Sequence, residues 1–269
     1  MLGELSDICW DFVCFSETRC PDKDVTLEGG HRLVTSLGDF VHAGVGILIH
    51  ARWTSDVSKF CRISDRLLYV DVKLHGKGYR ILAIYVPHAG YSVNEYEICL
   101  DDLRKCVLEG QRQGRKCMVG GDFNTELQRG WRGDRLRELL LEVHLENSTA
   151  ESNTIFENLW TFRSCLGQKR ILDYCFVPSE IILQSSSSTN DLHLGSDHRC
   201  VQSCILLPSE GYTRRQKKYK KKVDWALYSD EVMKLSHSAV DGGLVHLENQ
   251  LVDTASGCDA KALPADTKI

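Results

Sequence analysis

The chain has 269 residues, 42% apolar and 26% charged, enough to bury a sizeable core and too apolar to be disordered over most of its length. Five prolines and 21 glycines exclude fibrous classes, and 33 basic against 37 acidic residues exclude a strongly basic protein. No apolar run approaches the roughly 18 residues of a membrane span, and Met1-Leu2-Gly3-Glu4-Leu5 lacks the basic start and apolar stretch of a signal peptide.

In chain order, Met1–Trp10 reads as the end of a helix through Leu2, Leu5, Ile8 and Cys9. Strands are predicted at Asp11–Phe15, Val45–His50, Leu67–Lys73, Arg80–Val86, Lys116–Val119, Leu159–Ser164, Ile171–Val177 and Arg199–Leu206. Several alternate with period two; in the last, Cys200, Gln202, Cys204 and Leu206 share a face. Tyr96, Leu100, Leu103 and Val107 form a helical stripe ending before Gly110. Leu136, Leu139, Leu140 and Val143 form a second stripe after Gly133-Asp134. Lys77-Gly78 and Gln168-Lys169 read as hairpin turns. Many short strands with few helices predict an α/β (α+β) fold: two mixed β-sheets packed as a sandwich and flanked by helices, four layers in all, with function in the loops at one end.

A compositional boundary falls near Pro208. Residues 1–208 carry a net −5, and 209–269 hold ten basic and nine acidic residues. Seven of the basic ones lie between Arg214 and Lys222, open to reading as a DNA contact, a nuclear-import signal or a solvated linker. We therefore expect one domain over 1–208, then a basic linker and a poorly ordered tail. The twelve cysteines include no Cys-x-x-Cys pair and no zinc-spaced cluster, so they read as reduced, core-filling thiols of an intracellular protein.

Five polar clusters fall at strand ends: Ser16-Glu17-Thr18; Tyr85-Val86-Pro87; Gly120-Gly121-Asp122-Phe123-Asn124; Arg170-Ile171-Leu172-Asp173-Tyr174; and Ser196-Asp197-His198. Each alone is ordinary: a surface acid, a packed tyrosine, an Asx turn. Together they offer an oxygen-rich site for a hard divalent cation. In order and context they resemble the endonuclease/exonuclease/phosphatase family across residues 1 to 207. Tyr85, where other branches of the family place a histidine, is similar to the apurinic/apyrimidinic and non-LTR (LINE-type) retrotransposon endonucleases. Ser16-Glu17-Thr18-Arg19, Tyr85-Val86-Pro87-His88-Ala89-Gly90-Tyr91 and Trp160-Thr161-Phe162-Arg163-Ser164 resemble the retrotransposon group more closely.

The resemblance implies an Mg²⁺-dependent phosphodiester hydrolase that nicks DNA, with Mn²⁺ able to substitute, acting as a monomer without a membrane. It would be nuclear where its target is genomic. Glu17 would hold the metal, with Asp197 as the second acidic position. Asp122 would orient and deprotonate water, while Asn124 and Tyr85 bond phosphate oxygens. His198 would face the phosphate with Asp173 fixing its ring, and Thr161 would donate to the phosphate backbone. The resemblance also implies a first strand carrying a metal-supporting Asn. Only Met1–Trp10 precedes the strand that leads to Glu17, so that first strand is expected to be missing. The alternative is thus a catalytically impaired remnant that still folds or binds nucleic acid. A third reading, hydrolysis of a smaller phosphoester, is disfavoured by Tyr85. Arg129, Arg132, Arg135 and Arg137 offer either phosphate contacts or a solvated helix face.

Overall fold

Two neighbouring segments are apolar on both of their faces, and they set the architecture. In β6 (Leu67–Leu74) and β7 (Lys77–Tyr85) nearly every residue is buried, so the sheet they share must be covered on both sides. The computed structural model describes residues 2–5, 8–36, 43–148, 160–189 and 196–207, all within the unit Met1–Tyr212. Arg214 to Lys222, the tail expected over 209–269 and Leu159 lie outside the described residues.

Before β6 come α1 (Leu2–Leu5), β1 (Phe12–Ser16), β2 (Lys23–Thr26), β3 (Arg32–Thr35), β4 (Val45–Ile49) and β5 (Val57–Ser64). After β7 come α2 (Val93–Arg112), β8 (Lys116–Asp122), α3 (Gly130–Glu142), β9 (Leu145–Asn147), β10 (Phe162–Arg163), β11 (Lys169–Arg170), β12 (Asp173–Pro178), β13 (Ile182–Thr189) and β14 (Cys200–Leu206). One sheet has the order β5-β6-β7-β8-β12-β9 and a second β1-β4-β3-β2, with β10-β11 and β13-β14 as two-stranded ribbons. Within the six-stranded sheet β7 and β8 are parallel and the other pairs antiparallel.

The period-two pattern of β6 and β7 decides what each face meets. Leu67, Tyr69, Leu82 and Ile84 pack beneath the apolar stripes of α2 and α3. Leu68, Val70, Val72, Ile81, Ala83 and Tyr85 pack against Val34, Val45, Ile47 and Ile49 of the smaller sheet. On the far side of that sheet, Leu5 of α1 closes over Leu48, with Val13, Phe15 and Leu33 around it. The result is the expected sandwich, with helices outside the sheets. No helix among the described residues is long and apolar enough to cross a membrane.

Several expected boundaries move. The β6–β7 turn is His75-Gly76, both left-handed at φ 47° and 79°, two residues before Lys77-Gly78, because Leu74 pairs with Lys77. In the β10–β11 ribbon the last pair is Arg163 with Lys169, so the turn spans residues 165–167 rather than Gln168-Lys169. α2 starts on a Ser92–Glu95 capping box and runs through Gly110. There a Cβ would meet Cys117 Sγ at 2.6 Å and Arg80 Cδ at 3.1 Å. That glycine marks close packing, not a helix end. α3 likewise begins at Gly130 and includes Gly133, whose Cβ would meet Glu126 O at 2.5 Å. The eleven described cysteines are all free thiols, but Cys9, Cys165 and Cys204 are exposed and fill no core.

Gly110 makes room for a buried ion pair. Arg80 and Asp71 are cross-strand partners, each with a side chain 1% exposed, joined by Nε–Oδ1 and Nη2–Oδ2 bonds of 2.7 and 2.9 Å. Arg80 Nη1 also donates to Cys106 O at 2.9 Å. Removing one partner strands the other's charge. Asp71→Ala should therefore destabilise the protein by about 3–5 kcal/mol in urea unfolding; a loss below about 1 kcal/mol would mean that water reaches Arg80.

Candidate functional site

The parallel pair β7–β8 brings two strand C-termini to one pole, where Tyr85 and Asp122 are register partners. β1 ends at the same pole, and its Ser16 joins the sheets: the Ser16 hydroxyl donates to Ile84 O and accepts from Asp122 N, both at 3.2 Å. Between them Gly121 has φ 151° and no room for a side chain, since a Cβ would sit 1.9 Å from Ile84 O. β12 starts at this pole, with Asp173 opposite Asp122.

Asp122 is 4% exposed. Its Oδ1 accepts from Asn124 N at 2.8 Å, an Asx turn that puts Asn124 at φ 48°. Asn124 Nδ2 donates to Val86 O at 2.9 Å, which commits one amide hydrogen to the β7 exit. His198 Nδ1 lies 2.8 Å from Asp173 Oδ2, and its ring packs on Phe162 with centroids 5.0 Å apart. On the facing wall Tyr85 donates its hydroxyl to Glu17 Oε1 at 2.6 Å, and Arg19 donates to Glu17 Oε2 at 2.5 Å. Glu17 holds a left-handed φ of 53°, unusual outside glycine.

Charge ties the two walls together. Burial, with Asp173 beside it, pushes Asp122 up to about 7, against the pull of the His198 cation. Burial alone would lower His198, but its bond to Asp173 and the charges of Asp173, Asp122 and Asp197 raise it to about 9. Glu17 too is raised by burial, yet the Tyr85 and Arg19 bonds and the His198 charge leave it below its ordinary value. Burial drives the Tyr85 hydroxyl strongly upward, with Glu17 adding to it, so it remains a donor.

Of the eight residues singled out from sequence, seven gather here. Asp122, Asp173 and His198 place ligand atoms within 4.8 Å of one another; Glu17, Tyr85 and Asn124 line the same pole. Asp197 is exposed and registers through its effect on His198. Thr161 does other work than expected. It is 1% exposed, and its hydroxyl accepts from Leu172 N at 2.9 Å and Asp173 N at 3.0 Å, holding the start of β12. Among the arginines after Asp122, Arg129 pairs with Glu126, Arg135 with Glu97 and Glu138, and Arg137 with Asp134. Arg132 clamps the loop after β7, donating to Pro87 O at 2.8 Å and Tyr91 O at 3.2 Å. Sequence reading passed over Arg66, which lies over the rings of Tyr85 and Tyr91 at 5.1 and 4.7 Å. Nothing in Ser64-Asp65-Arg66 distinguishes it from an ordinary polar turn.

In the metal-free protein the Asp122 and His198 shifts act in the same direction. Asp122 keeps its proton to about 7 against an ordinary 3.8, and His198 to about 9 against 6.5. The folded chain therefore holds more protons than the unfolded chain through this range, and stability falls as pH rises. The His198 contribution is full below its unfolded pKa and lost as pH passes through about 9. Melting in chelator from about pH 5 to about pH 9 should show this decline, flattened at its upper end in His198→Gln. A stability that rises over the same range would contradict the geometry.

The model of the endonuclease/exonuclease/phosphatase family matches residues 2–198. Solved structures share the fold. A 3′ phosphatase from Neisseria bound to product DNA hairpin is 17% identical with a TM-score of 0.60, over 77% of this chain and 93% of that one. The endonuclease domain of a telomere-specific non-LTR retrotransposon is 14% identical with a TM-score of 0.58, over 77% and 90%. An AP endonuclease from Leishmania major is 13% identical with a TM-score of 0.61, over 77% and 81%. No curated protein sequence matches. With most of the described fold inside the family match, and the strand-end residues gathered at one pole, the chain belongs to the endonuclease/exonuclease/phosphatase family.

Proposed function

We propose that this protein is an Mg²⁺-dependent endonuclease that nicks DNA, of the kind found in non-LTR retrotransposons, with Mn²⁺ able to replace Mg²⁺. The observation that carries the reading is the pairing of an Asp122–Asp173–His198 cluster, with Asp122 buried and its two partners half-buried, with a Glu17–Tyr85 wall. The donor set fits a hard divalent ion. Burial and Asp173 raise Asp122 to about 7, which marks an acidic pocket short of positive charge. Burial also keeps the thiols behind it protonated, with Cys14 pushed up to about 12 and Cys200 to about 11. Glu17 would hold the ion, with Asp197 as the second acid. When bound, the ion would neutralise the phosphate and the leaving 3′ oxygen.

The chain's own groups supply the rest. Asp122, ionised, accepts the proton of the attacking water. His198, kept cationic by Asp173, donates to a phosphate oxygen as charge builds. The remaining Asn124 amide hydrogen serves the same phosphate, and the Tyr85 hydroxyl is held in place by Glu17. Ser16, Gly121 and Thr161 act at one remove by fixing the strand ends. The work would be done by a single chain on genomic DNA in the nucleus; the basic stretch from Arg214 to Lys222 supports this part of the reading.

A supercoiled-plasmid nicking assay tests the reading. Mg²⁺ should support nicking and chelator abolish it, while Asp122→Asn and His198→Ala should each slow it on the order of 10²-fold or more. DNA affinity should fall much less, since phosphate contacts elsewhere dominate binding. Nicking that persists in chelator, or a His198→Ala protein as fast as the parent, would overturn it. Release of inositol phosphate with no cut plasmid would assign the core to small phosphoesters.

A further inference from the structure

One cation beside the site pairs with no carboxylate among the described residues, and its position is fixed. Arg66 lies in the turn between β5 and β6, with its N–H on Ser64 Oγ at 3.2 Å and its carbonyl accepting from Tyr85 N at 2.9 Å. Its backbone is thus bonded directly to that of Tyr85. The guanidinium lies over the rings of Tyr85, at 5.1 Å, and Tyr91, at 4.7 Å. Tyr91 packs in turn against His88, centroids 4.6 Å apart, and Arg132 holds this loop through the Pro87 and Tyr91 carbonyls. The rings accept the charge of Arg66 but offer no oxygen to its N–H groups. Nη1 is buried without a hydrogen-bond partner among the described residues. Glu95, which feels the charge, spends its Oε2 on the Ser92 cap.

Three other cations near the pole are committed. Arg19 is bonded to Glu17, Arg129 to Glu126 and Arg132 to loop carbonyls. A guanidinium laid over two tyrosine rings, with a donor that no oxygen of the described residues satisfies, suits an oxygen anion that arrives with the substrate. Arg66 stands one tyrosine ring from the Glu17–Tyr85 bond, so that anion is a neighbour of the reacting group.

We propose that Arg66 binds the DNA phosphodiester next to the one that is cut, acting as a substrate-binding residue for the backbone rather than as a member of the reacting cluster. This rests on the endonuclease reading above.

The test uses the full chain, a labelled duplex oligonucleotide, and the same duplex carrying one uncharged methylphosphonate at each position around the cut in turn. Binding is measured in chelator and cleavage in Mg²⁺. Arg66→Gln should raise Kd and KM about tenfold, leave kcat within about threefold, and reduce the slope of log Kd against log salt by about one contact. Arg66→Lys should recover part of the affinity. One methylphosphonate position should weaken the parent and leave Arg66→Gln no weaker than it already is. Melting of both variants separates a binding loss from a folding loss, and Arg66→Lys decides the matter if Arg66→Gln does not fold. Parent cleavage with unchanged Kd, KM and salt slope in the variants overturns the role of Arg66 and leaves the endonuclease reading standing. A fall in kcat alone overturns it too, showing that Arg66 acts through Tyr85. A parent that binds DNA without cutting overturns the endonuclease reading, and the Kd comparison still decides Arg66. A parent that neither binds nor cuts overturns both.

Discussion

A single parallel pairing governs the rest of the structure. In an otherwise antiparallel six-stranded sheet, β7 and β8 run in the same direction, which the long crossover through α2 makes possible. Antiparallel neighbours end at opposite poles; these two end together, with Tyr85 opposite Asp122. The pairing is close enough that only glycine fits at position 121. Ser16 then bonds the end of the smaller sheet to both strands, and so fixes how Glu17 leaves β1. The site is the place where three strand ends are forced to coincide.

That convergence has an electrostatic cost, and the pattern of ionisation follows from it. Asp122 and Asp173 are cross-strand partners on a largely buried surface, and their mutual repulsion adds to the burial of Asp122. His198 offsets part of this by taking a proton, and it can hold that proton because Asp173 is bonded to its ring. Two carboxylates in one neighbourhood are thereby separated in role. Asp173 is bonded to the His198 ring, while burial and the Asp173 charge hold Asp122 up at about 7. The Glu17–Tyr85 bond does the same on the other wall, with the tyrosine kept protonated and the glutamate ionised.

The buried Asp71–Arg80 pair shows the same economy away from the site. It lies on β6 and β7 and is bonded to α2 through the Cys106 carbonyl, so it fixes the helix against the strand that delivers Tyr85. Gly110 and Cys117 shape the space around it. Around the functional pole most arginines are spent on carboxylates or on loop carbonyls. A negatively charged polymer would therefore be met by few groups, and the placement of each one matters more than the overall charge of −4.

How much of this the sequence reveals depends on whether a residue's role is local. The apolar stretches of β6, β7 and β8 and the stripes of α2 and α3 were readable, because burial on a regular element imposes its own period. The strand-end clusters were readable too, since residue type and order alone point to oxygen-rich phosphodiester chemistry and to the family. β13 was not, because the Ser-rich Ile182–Thr189 is a strand through its pairing with β14. The same holds for β2, a four-residue exposed strand opposite β3. Nor could the sequence show that Gly110 sits inside a helix, that Thr161 is buried beneath Asp173, or that Arg66 lies over Tyr85, a residue 19 positions away. The sequence by itself determined the fold class, the family and the residue types that meet at the pole. Tertiary structure alone decided which acid is held up near 7, which hydroxyl supports a strand and which arginine lies over Tyr85, because each of these depends on neighbours that the chain brings together only by folding.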